Sequence, residues 1–304
     1  MTKVFIDGSA GTTGLRIRER LSARQDLELL SLPEQLRKNP EARKEIMHEA
    51  DIVFLCLPDA AAVEAMDLVA AETAVIDTST AHRTEPGWAY GFPELHGLRE
   101  KIKGSRRIGN PGCHASGFIS LVEPLIYEGL VSADTAFTCF SVTGYSGGGK
   151  SMIADYESAE RDPALQSPRQ YALGQNHKHL KEMVKICRLQ TARVFCPIVA
   201  DYYCGMTVTV PLFQKDLKGT VEDLKQLYQD RYHSAIVHYD VYQDGMIAGN
   251  SIAGRDDMTI TIAGNEERIL LISSFDNLGK GASGAAIQNM NILLGLDETT
   301  GLNL

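Results

Sequence analysis

The sequence predicts an α/β fold, a Rossmann-type doubly wound parallel sheet followed by a second α+β domain with a mixed, largely antiparallel sheet. Three observations predict it. A short apolar strand at residues 3–7 runs through Gly8-Ser9-Ala10-Gly11-Thr12-Thr13-Gly14 into a helical pattern at Leu15, Ile17 and Leu21. In that order, glycines let a backbone approach a pyrophosphate at a helix N-terminus. Apolar runs at 51–57 and 74–77 do not alternate and are separated by helical stretches, as in strands buried on both faces of a parallel sheet. From residue 135 onward the strands lengthen, gain β-branched and aromatic residues and are interrupted by fewer helices, as in largely antiparallel sheets.

A chain of 304 residues with 44% hydrophobic and 23% charged residues is large enough for two cores. Its formal charge of −9 argues against nucleic acid and against an anionic membrane surface. An anionic substrate must therefore meet a local cluster of Arg or Lys. Met1-Thr2-Lys3-Val4 runs straight into a strand pattern without a signal peptide, and no apolar run reaches membrane-spanning length. The six cysteines, at 56, 113, 139, 187, 196 and 204, lack CxxC spacing. They read as reduced thiols in the cytoplasm, with no disulfide frame and no metal site.

In the first domain, residues 1–112, the glycine turn has the spacing Gly-x-x-Gly-x-x-Gly, and Gly8, Ser9, Ala10, Gly11, Thr12, Thr13 and Gly14 are its candidate cofactor contacts. The competing reading is a plain tight turn. After the second strand, 27–30, the residue expected at the adenine ribose is Ser31, with Arg37 and Lys38 nearby and no acid at the strand end. Cations without a carboxylate favour a 2′-phosphate, hence NADP over NAD. A polar helix over 33–49, a strand over 51–57, a helix opened by Pro58-Asp59 and reaching 69, and a strand over 74–77 follow. Ligands in such sheets lie at the carboxyl ends of strands, which is where Pro58, Ser79 and Asn110-Pro111-Gly112-Cys113 fall. Pro58 and Ser79 are assigned to the cofactor and Asn110 to the substrate. Arg83, just past a strand end, either clamps a carboxylate or phosphate or is a surface arginine. The charged run 99–107 reads as a solvated loop.

Cys113 opens the second domain, residues 113–278. It sits after Pro111-Gly112 at the first turn of a helical run through Phe118, Leu121, Val122 and Leu125. Backbone N–H groups and the helix dipole favour thiolate there. The dipole, at about 0.3–1 kcal/mol, moves a thiol pKa by less than about one unit from roughly 8.5, so a base is needed. The plainer reading is a small buried residue at a helix start. A strand over 135–142 leads into Thr143-Gly144-Tyr145-Ser146-Gly147-Gly148-Gly149-Lys150, a loop that either cradles a ligand or simply bends, with Gly144 its candidate substrate contact. Strands are expected at 193–199, 203–212, 236–242, 258–262 and 268–275, and helices at 178–188 and 221–232. One broad sheet face is a natural subunit contact. The segment 279–304 starts glycine-rich and becomes helical, and it is expected to return to the first domain with Gly281 near the cofactor.

For the base, His177-Lys178-His179 followed by Glu182 stands out. On a helix, His179 and Glu182 are i, i+3 neighbours, so the carboxylate can fix the tautomer of the ring. Capping or surface histidines, a metal-binding His-x-His and His114 are the competing readings. His114 ranks below His179 because adjacent side chains in a turn diverge. A thiolate beside a nicotinamide implies attack on an aldehyde or activated acyl carbon, with hydride passing to or from the ring. The Cys113 N–H is a candidate oxyanion donor.

The Gly8/Gly11/Gly14 turn, Asp77-Thr78-Ser79-Thr80-Ala81-His82-Arg83, Asn110-Pro111-Gly112-Cys113, the loop around Gly147, His177-Lys178-His179-x-x-Glu182 and the segment from Gly279 to Asn291 together resemble N-acetyl-gamma-glutamyl-phosphate reductases of the shorter type. The resemblance covers essentially the whole chain. It implies an NADPH-dependent enzyme of arginine biosynthesis that reduces an acyl phosphate, usually as a homo-oligomer. It also implies Cys113 as nucleophile, His179 as acid-base and His177 and Glu182 against substrate. Aspartate-semialdehyde dehydrogenases share the domain plan, but there an asparagine normally precedes the cysteine, where this chain has Gly112. A dinucleotide-binding sensor without chemistry is the reading from another class.

Overall fold

The computed structural model describes residues 1–191, 193–243 and 245–304. Its contacts divide into two units, one of Met1–Pro93, Gly97–Pro111 and Ala282–Leu302, the other of Glu94–His96, Gly112–Gly281 and Asn303–Leu304.

The first unit runs β1 (Thr2–Asp7), α1 (Thr12–Ser22), β2 (Leu27–Leu30), α2 (Pro40–Glu49), β3 (Ile52–Leu55), α3 (Asp59–Ala65), β4 (Ala74–Asp77), β5 (Ala89–Tyr90), α4 (Leu98–Lys103) and β6 (Arg107–Gly109). The sheet order is β2-β1-β3-β4-β6-β5, and every pairing is parallel. Successive residues of one strand feed opposite cores. Val4, Ile6, Ile52 and Phe54 pack on one face with Ile17, Leu21, Ile287 and Met290, while Phe5, Val53 and Leu55 pack on the other with Met47 and Ala62. That two-sided burial is why these strands read as unbroken apolar runs. Strand order reverses between β1 and β3, where the crevice of a doubly wound sheet opens. Gly8, at φ +85°, begins the turn there, and any β-carbon on it would run into the Cys56 carbonyl.

Two local expectations are corrected. The stretch 33–49 is not one helix, since a 3-10 turn at Glu34–Leu36 precedes α2. Pro40 opens α2, and the side chain of Asn39 accepts the Ala42 N–H at 2.9 Å, an N-cap that interrupts the chain because a residue before proline avoids the helical region. The charged run 99–107 is not a loop but holds most of α4 and the start of β6, anchored by the buried Ile102.

The second unit runs α5 (Cys113–Tyr127), β7 (Thr138–Gly144), α6 (Gly149–Glu157), β8 (Arg169–Gln170), α7 (His179–Ile186), β9 (Val194–Ala200), β10 (Met206–Phe213), α8 (Val221–Arg231), β11 (Val237–Tyr239), β12 (Met258–Gly264) and β13 (Arg268–Phe275). Its sheet is β11-β12-β13-β10-β7-β9-β8. The β11–β12 and β7–β9 pairs are parallel and the other four antiparallel. The glycine stretch after β7 bends rather than staying open, forming a 3-10 turn at Tyr145–Gly148 and then α6. The last helix, α9 (Gly284–Leu293), follows a π-type turn at Gly279–Ser283.

Helix α5 is buried almost all round, and its interior Pro124 removes the N–H that would bond the Ser120 carbonyl. The hydroxyl of Tyr232 donates to that carbonyl instead, at 2.6 Å, and Tyr228 donates to the Leu121 carbonyl. Gly117 lets the helix press onto the sheet, because a β-carbon there would lie 2.8 Å from Cβ of Val208 and 3.0 Å from the Phe275 ring. Lys280 and Glu94 form a buried ion pair at 2.8 Å.

Tyr232→Phe keeps the ring packing but orphans the Ser120 carbonyl, so it should destabilise the chain by about 1–3 kcal/mol in denaturant titrations. An unchanged midpoint would show that the carbonyl has another partner.

Candidate active site

Cys113 is the first residue of α5 and is half-buried. Gly112 is the N-cap, in extended conformation, with no side-chain cap and no acid in the first turn. The positive end of the helix dipole at this turn thus meets no acid of its own first turn and favours an anion at the sulfur. The Gly112 N–H itself donates to Oε1 of Glu182 on α7, at 2.9 Å in the interior. Glu182 thus holds the nucleophile's turn, a geometry that the i, i+3 pairing with His179 does not announce. Gly281 closes the other side. A β-carbon on it would lie 2.9 Å from Cβ of Cys113, so its small size lets the chain approach the cysteine closely.

Three imidazoles cluster at His114, the residue after the nucleophile. His114 is 4% exposed, with Nδ1 2.6 Å from Oγ of Ser141 and Nε2 2.7 Å from the hydroxyl of Tyr171. Burial first, then the nearby His177 and Lys178, push its pKa down to about 3. His177 accepts the His179 backbone N–H on Nδ1 at 3.2 Å, so it is the capping histidine of α7. Burial and then Lys178 hold its pKa down to about 4. His179 is buried at the first position of α7, with its ring centroid 4.8 Å from that of His177 and 5.6 Å from that of His114. The loop before α7 carries positive φ at Ala172 and Gln175. Such non-glycine positions cost roughly 1–3 kcal/mol each. The Gln175 amide offsets this by donating to the Phe195 carbonyl at 2.8 Å and accepting its N–H at 2.9 Å. Ser141 and Tyr171 carry no sequence signal, since nothing in the chain pattern says that residues 27 and 57 positions beyond His114 meet it.

Other assigned residues turn out to be committed to structure. The Gly144 N–H bonds the Gly205 carbonyl, and a β-carbon would crowd the Tyr202 and Tyr203 carbonyls, so close packing requires glycine here. In the first unit, Arg83 is buried rather than a surface residue, donating to the carbonyls of Asn110 at 2.8 Å and Thr78 at 2.9 Å. Asn110 donates to the Ala282 carbonyl and accepts from Asn289, which uses both ends of its amide. The hydroxyl of Ser79 donates to Asp77 at 2.7 Å.

The glycine turn fits a dinucleotide. A β-carbon on Gly14 would strike the Gly8 carbonyl, whereas one on Gly11 would make only ordinary contact, at 3.5 Å. The chain's own packing thus does not demand glycine at 11. Gly11 caps α1 with no side-chain acceptor and no acid in the first turn, leaving the N–H groups at Thr12 and Thr13 to an anion. Alongside lies a cavity of about 460 Å³ lined by Gly8, Ser9, Ala10, Arg18, Ser31 and Arg37. Lys38 is not among its lining residues. Arg18 escaped the sequence reading, although it lies seven residues after Gly11 and so on the same side of α1. Asp7, at the end of β1, is paired with Arg43 at 2.6 Å. Pro58 caps α3 at the end of β3.

Among the described residues no helix is long and apolar enough to cross a membrane. The pattern of the semialdehyde dehydrogenase NAD-binding domain matches residues 26–105, and that of the semialdehyde dehydrogenase dimerisation domain matches residues 113–277. An N-acetyl-gamma-glutamyl-phosphate reductase of Brucella ovis is 42% identical over 96% of this chain and 99% of its own. One of Brucella anthropi is 43% identical over 96% and 98%. Among solved structures, aspartate semialdehyde dehydrogenase from Francisella tularensis superposes with a TM-score of 0.73 at 14% identity, covering 97% of this chain and 100% of that one. The enzyme from Candida albicans with NADP gives 0.70 at 18%, covering 97% and 98%. At such identities these structures share the fold.

Two neutral histidines, His114 buried and His177 half-buried, set a pH dependence. An unfolded histidine, near 6.5, binds a proton that the folded His114 and His177 refuse until about pH 3 and 4. Stability from this source is complete above pH 6.5 and is lost as pH falls, by up to about 1.4 kcal/mol per pH unit for the buried His114 and by less for the half-buried, solvent-screened His177. Denaturant midpoints should fall steadily between pH 6.5 and 4, and His177→Gln should flatten the slope. A level profile would contradict the holding of these rings as neutral bases in the fold.

Proposed function

The chain belongs to the N-acetyl-gamma-glutamyl-phosphate reductase family, and on that premise we propose that it reduces N-acetyl-L-glutamyl 5-phosphate to N-acetyl-L-glutamate 5-semialdehyde, releasing phosphate, with NADPH, in arginine biosynthesis. Cys113 carries this reading: it is a half-buried thiol at an uncapped helix N-terminus, with an imidazole cluster beside the same turn. Its thiolate attacks the acyl carbon, the carbon–oxygen bond to phosphate breaks, and phosphate departs with the electron pair, leaving a thioester on Cys113. First-turn N–H groups of α5, that of Cys113 included, point along the helix axis toward the sulfur and stabilise the oxyanion formed on the way. A reduced nicotinamide dinucleotide held at the glycine turn, residues 8–14, would supply the hydride, and reduction of this thioester gives a thiohemiacetal. As the carbonyl re-forms, the carbon–sulfur bond breaks and the thiolate returns.

His179 is the base. Moving a proton from a thiol near 8.5 to an imidazole near 4, such as His177, is uphill by about 6 kcal/mol. His177 is further engaged through Nδ1 in capping α7, and both ring nitrogens of His114 are occupied. His179 takes the thiol proton and shuttles one at the thiohemiacetal oxygen.

NADP is favoured over NAD by Arg18 and Arg37, which line the first-unit cavity with Ser9 and Ser31, a donor set for a 2′-phosphate. A homo-oligomer is supported by the open face of the second sheet, where Phe140, Val194, Phe213 and Leu270 stay exposed. The six cysteines form no disulfide among the described residues, and the cytoplasm is the compartment proposed for the chain.

Phosphate-dependent reduction of NADP⁺ by N-acetyl-glutamate semialdehyde tests the function, with aspartate semialdehyde run beside it. Preference for the latter would move the chain to the dehydrogenases, and inertness with both would leave a sensor. Cys113→Ser should retain a few per cent of turnover at most while NADPH affinity holds. Arg18→Ala with Arg37→Ala should raise the Kd for NADPH by about tenfold or more and leave that for NADH unchanged. Equal losses for both cofactors would place the two arginines elsewhere.

A further inference from the structure

Ser141, His114 and Tyr171 form a hydrogen-bonded line from the interior of the second sheet to the nucleophile's turn. Oγ of Ser141, on β7 and 0% exposed, meets Nδ1 of His114 at 2.6 Å, and Nε2 meets the Tyr171 hydroxyl at 2.7 Å. His114 is neutral. The line therefore holds three protons, one on each hydroxyl and one on the ring, while its two hydrogen bonds use only two. The third must sit at one end. If Tyr171 donates to Nε2 and Nδ1–H donates to Ser141, the surplus is the serine O–H, and among the described residues Ser141 Oγ has no hydrogen-bond partner but His114. A fully buried, orphaned donor costs about 1–3 kcal/mol. If Ser141 donates to Nδ1 and Nε2–H donates to Tyr171, the surplus is the phenol O–H. Tyr171 is only partly buried and can pass that proton to a ligand.

We infer that Tyr171 is a catalytic residue of the reductase reaction proposed above, its hydroxyl locked by Ser141 and His114 into donating a hydrogen bond to the substrate oxygen that gains negative charge on the carbon bound to Cys113. Several features fit a fixed donor. Tyr171 bonds the Pro197 carbonyl through its N–H at 3.1 Å, and its ring packs with Tyr156, Leu165 and Val199. Burial raises its pKa, and a thiolate at Cys113 raises it further, so the phenol keeps its proton as the sulfur loses one. Adjacency in sequence puts His114 one residue from the nucleophile, and this line gives that otherwise idle imidazole a task.

Two measurements test it. Nitrogen shifts of the His114 ring should show the proton on Nε2 and a bare Nδ1; the reverse tautomer overturns the inference. In Tyr171→Phe, kcat should fall by about 10- to 1000-fold, as on loss of an oxyanion donor, with KM for the semialdehyde and the iodoacetamide rate of Cys113 within about threefold of wild type. Unchanged kcat overturns it, as does a loss matched by slower alkylation, which would mean that the hydroxyl serves the thiol and not the substrate. The ring shifts are read without turnover, so failure of the reductase reading shows separately, as wild-type protein inert with both semialdehydes.

Discussion

The buried hydrogen bond from the Gly112 N–H to the Glu182 carboxylate is the constraint on which the site in the second unit depends. In a capping box the third helical residue reaches back to the N-cap N–H. Here the carboxylate comes from a different helix, 70 residues on, and the consequence differs. The N-cap is held, yet the first-turn N–H groups of α5 face no carboxylate of their own helix. One bond thereby ties α5 to α7, fixes the entry angle of Cys113 and leaves the positive end of the helix dipole to the sulfur. Gly281 and Gly117 complete the arrangement by allowing close approach on either side of the helix start.

Burial, more than charge, sets the chemistry around that turn. Desolvation is the first cause of the depressed His114 and His177 and of the raised Tyr171. His114 and His177 are thus kept neutral at working pH, and neutral rings do not compensate a thiolate by Coulomb attraction. Backbone N–H groups must do so, together with one imidazole able to take the proton. Such a division of labour suits an acyl transfer, in which negative charge appears briefly at sulfur and at the acyl oxygen and must be met by fixed dipoles.

How much of this was legible in the sequence follows from the range of each interaction. The bounds of β2, β4 and β13 and the glycine turn lie within a few residues of their causes, and periodicity or turn chemistry reveals them. Arg83, Asn110 and Gly144 illustrate the opposite case. Their residue types suit ligand binding, but only folding shows their long-range structural partners, the Ala282 carbonyl for Asn110 and the Gly205 carbonyl for Gly144. Tyr171 sits in a stretch without period, and only folding shows that it meets His114. Charge runs mislead in the same way, since the single apolar Ile102 is enough to seat α4 despite its polar neighbours.

The central claim, that Cys113 is acylated in the course of the reaction, is tested most directly by mixing the protein with N-acetyl-glutamyl phosphate in the absence of NADPH and quenching in acid. One phosphate per chain should be released in a burst, and peptide mass analysis should find the acyl group on the peptide containing Cys113. A burst without that adduct, or an acyl group on another residue, would contradict the account.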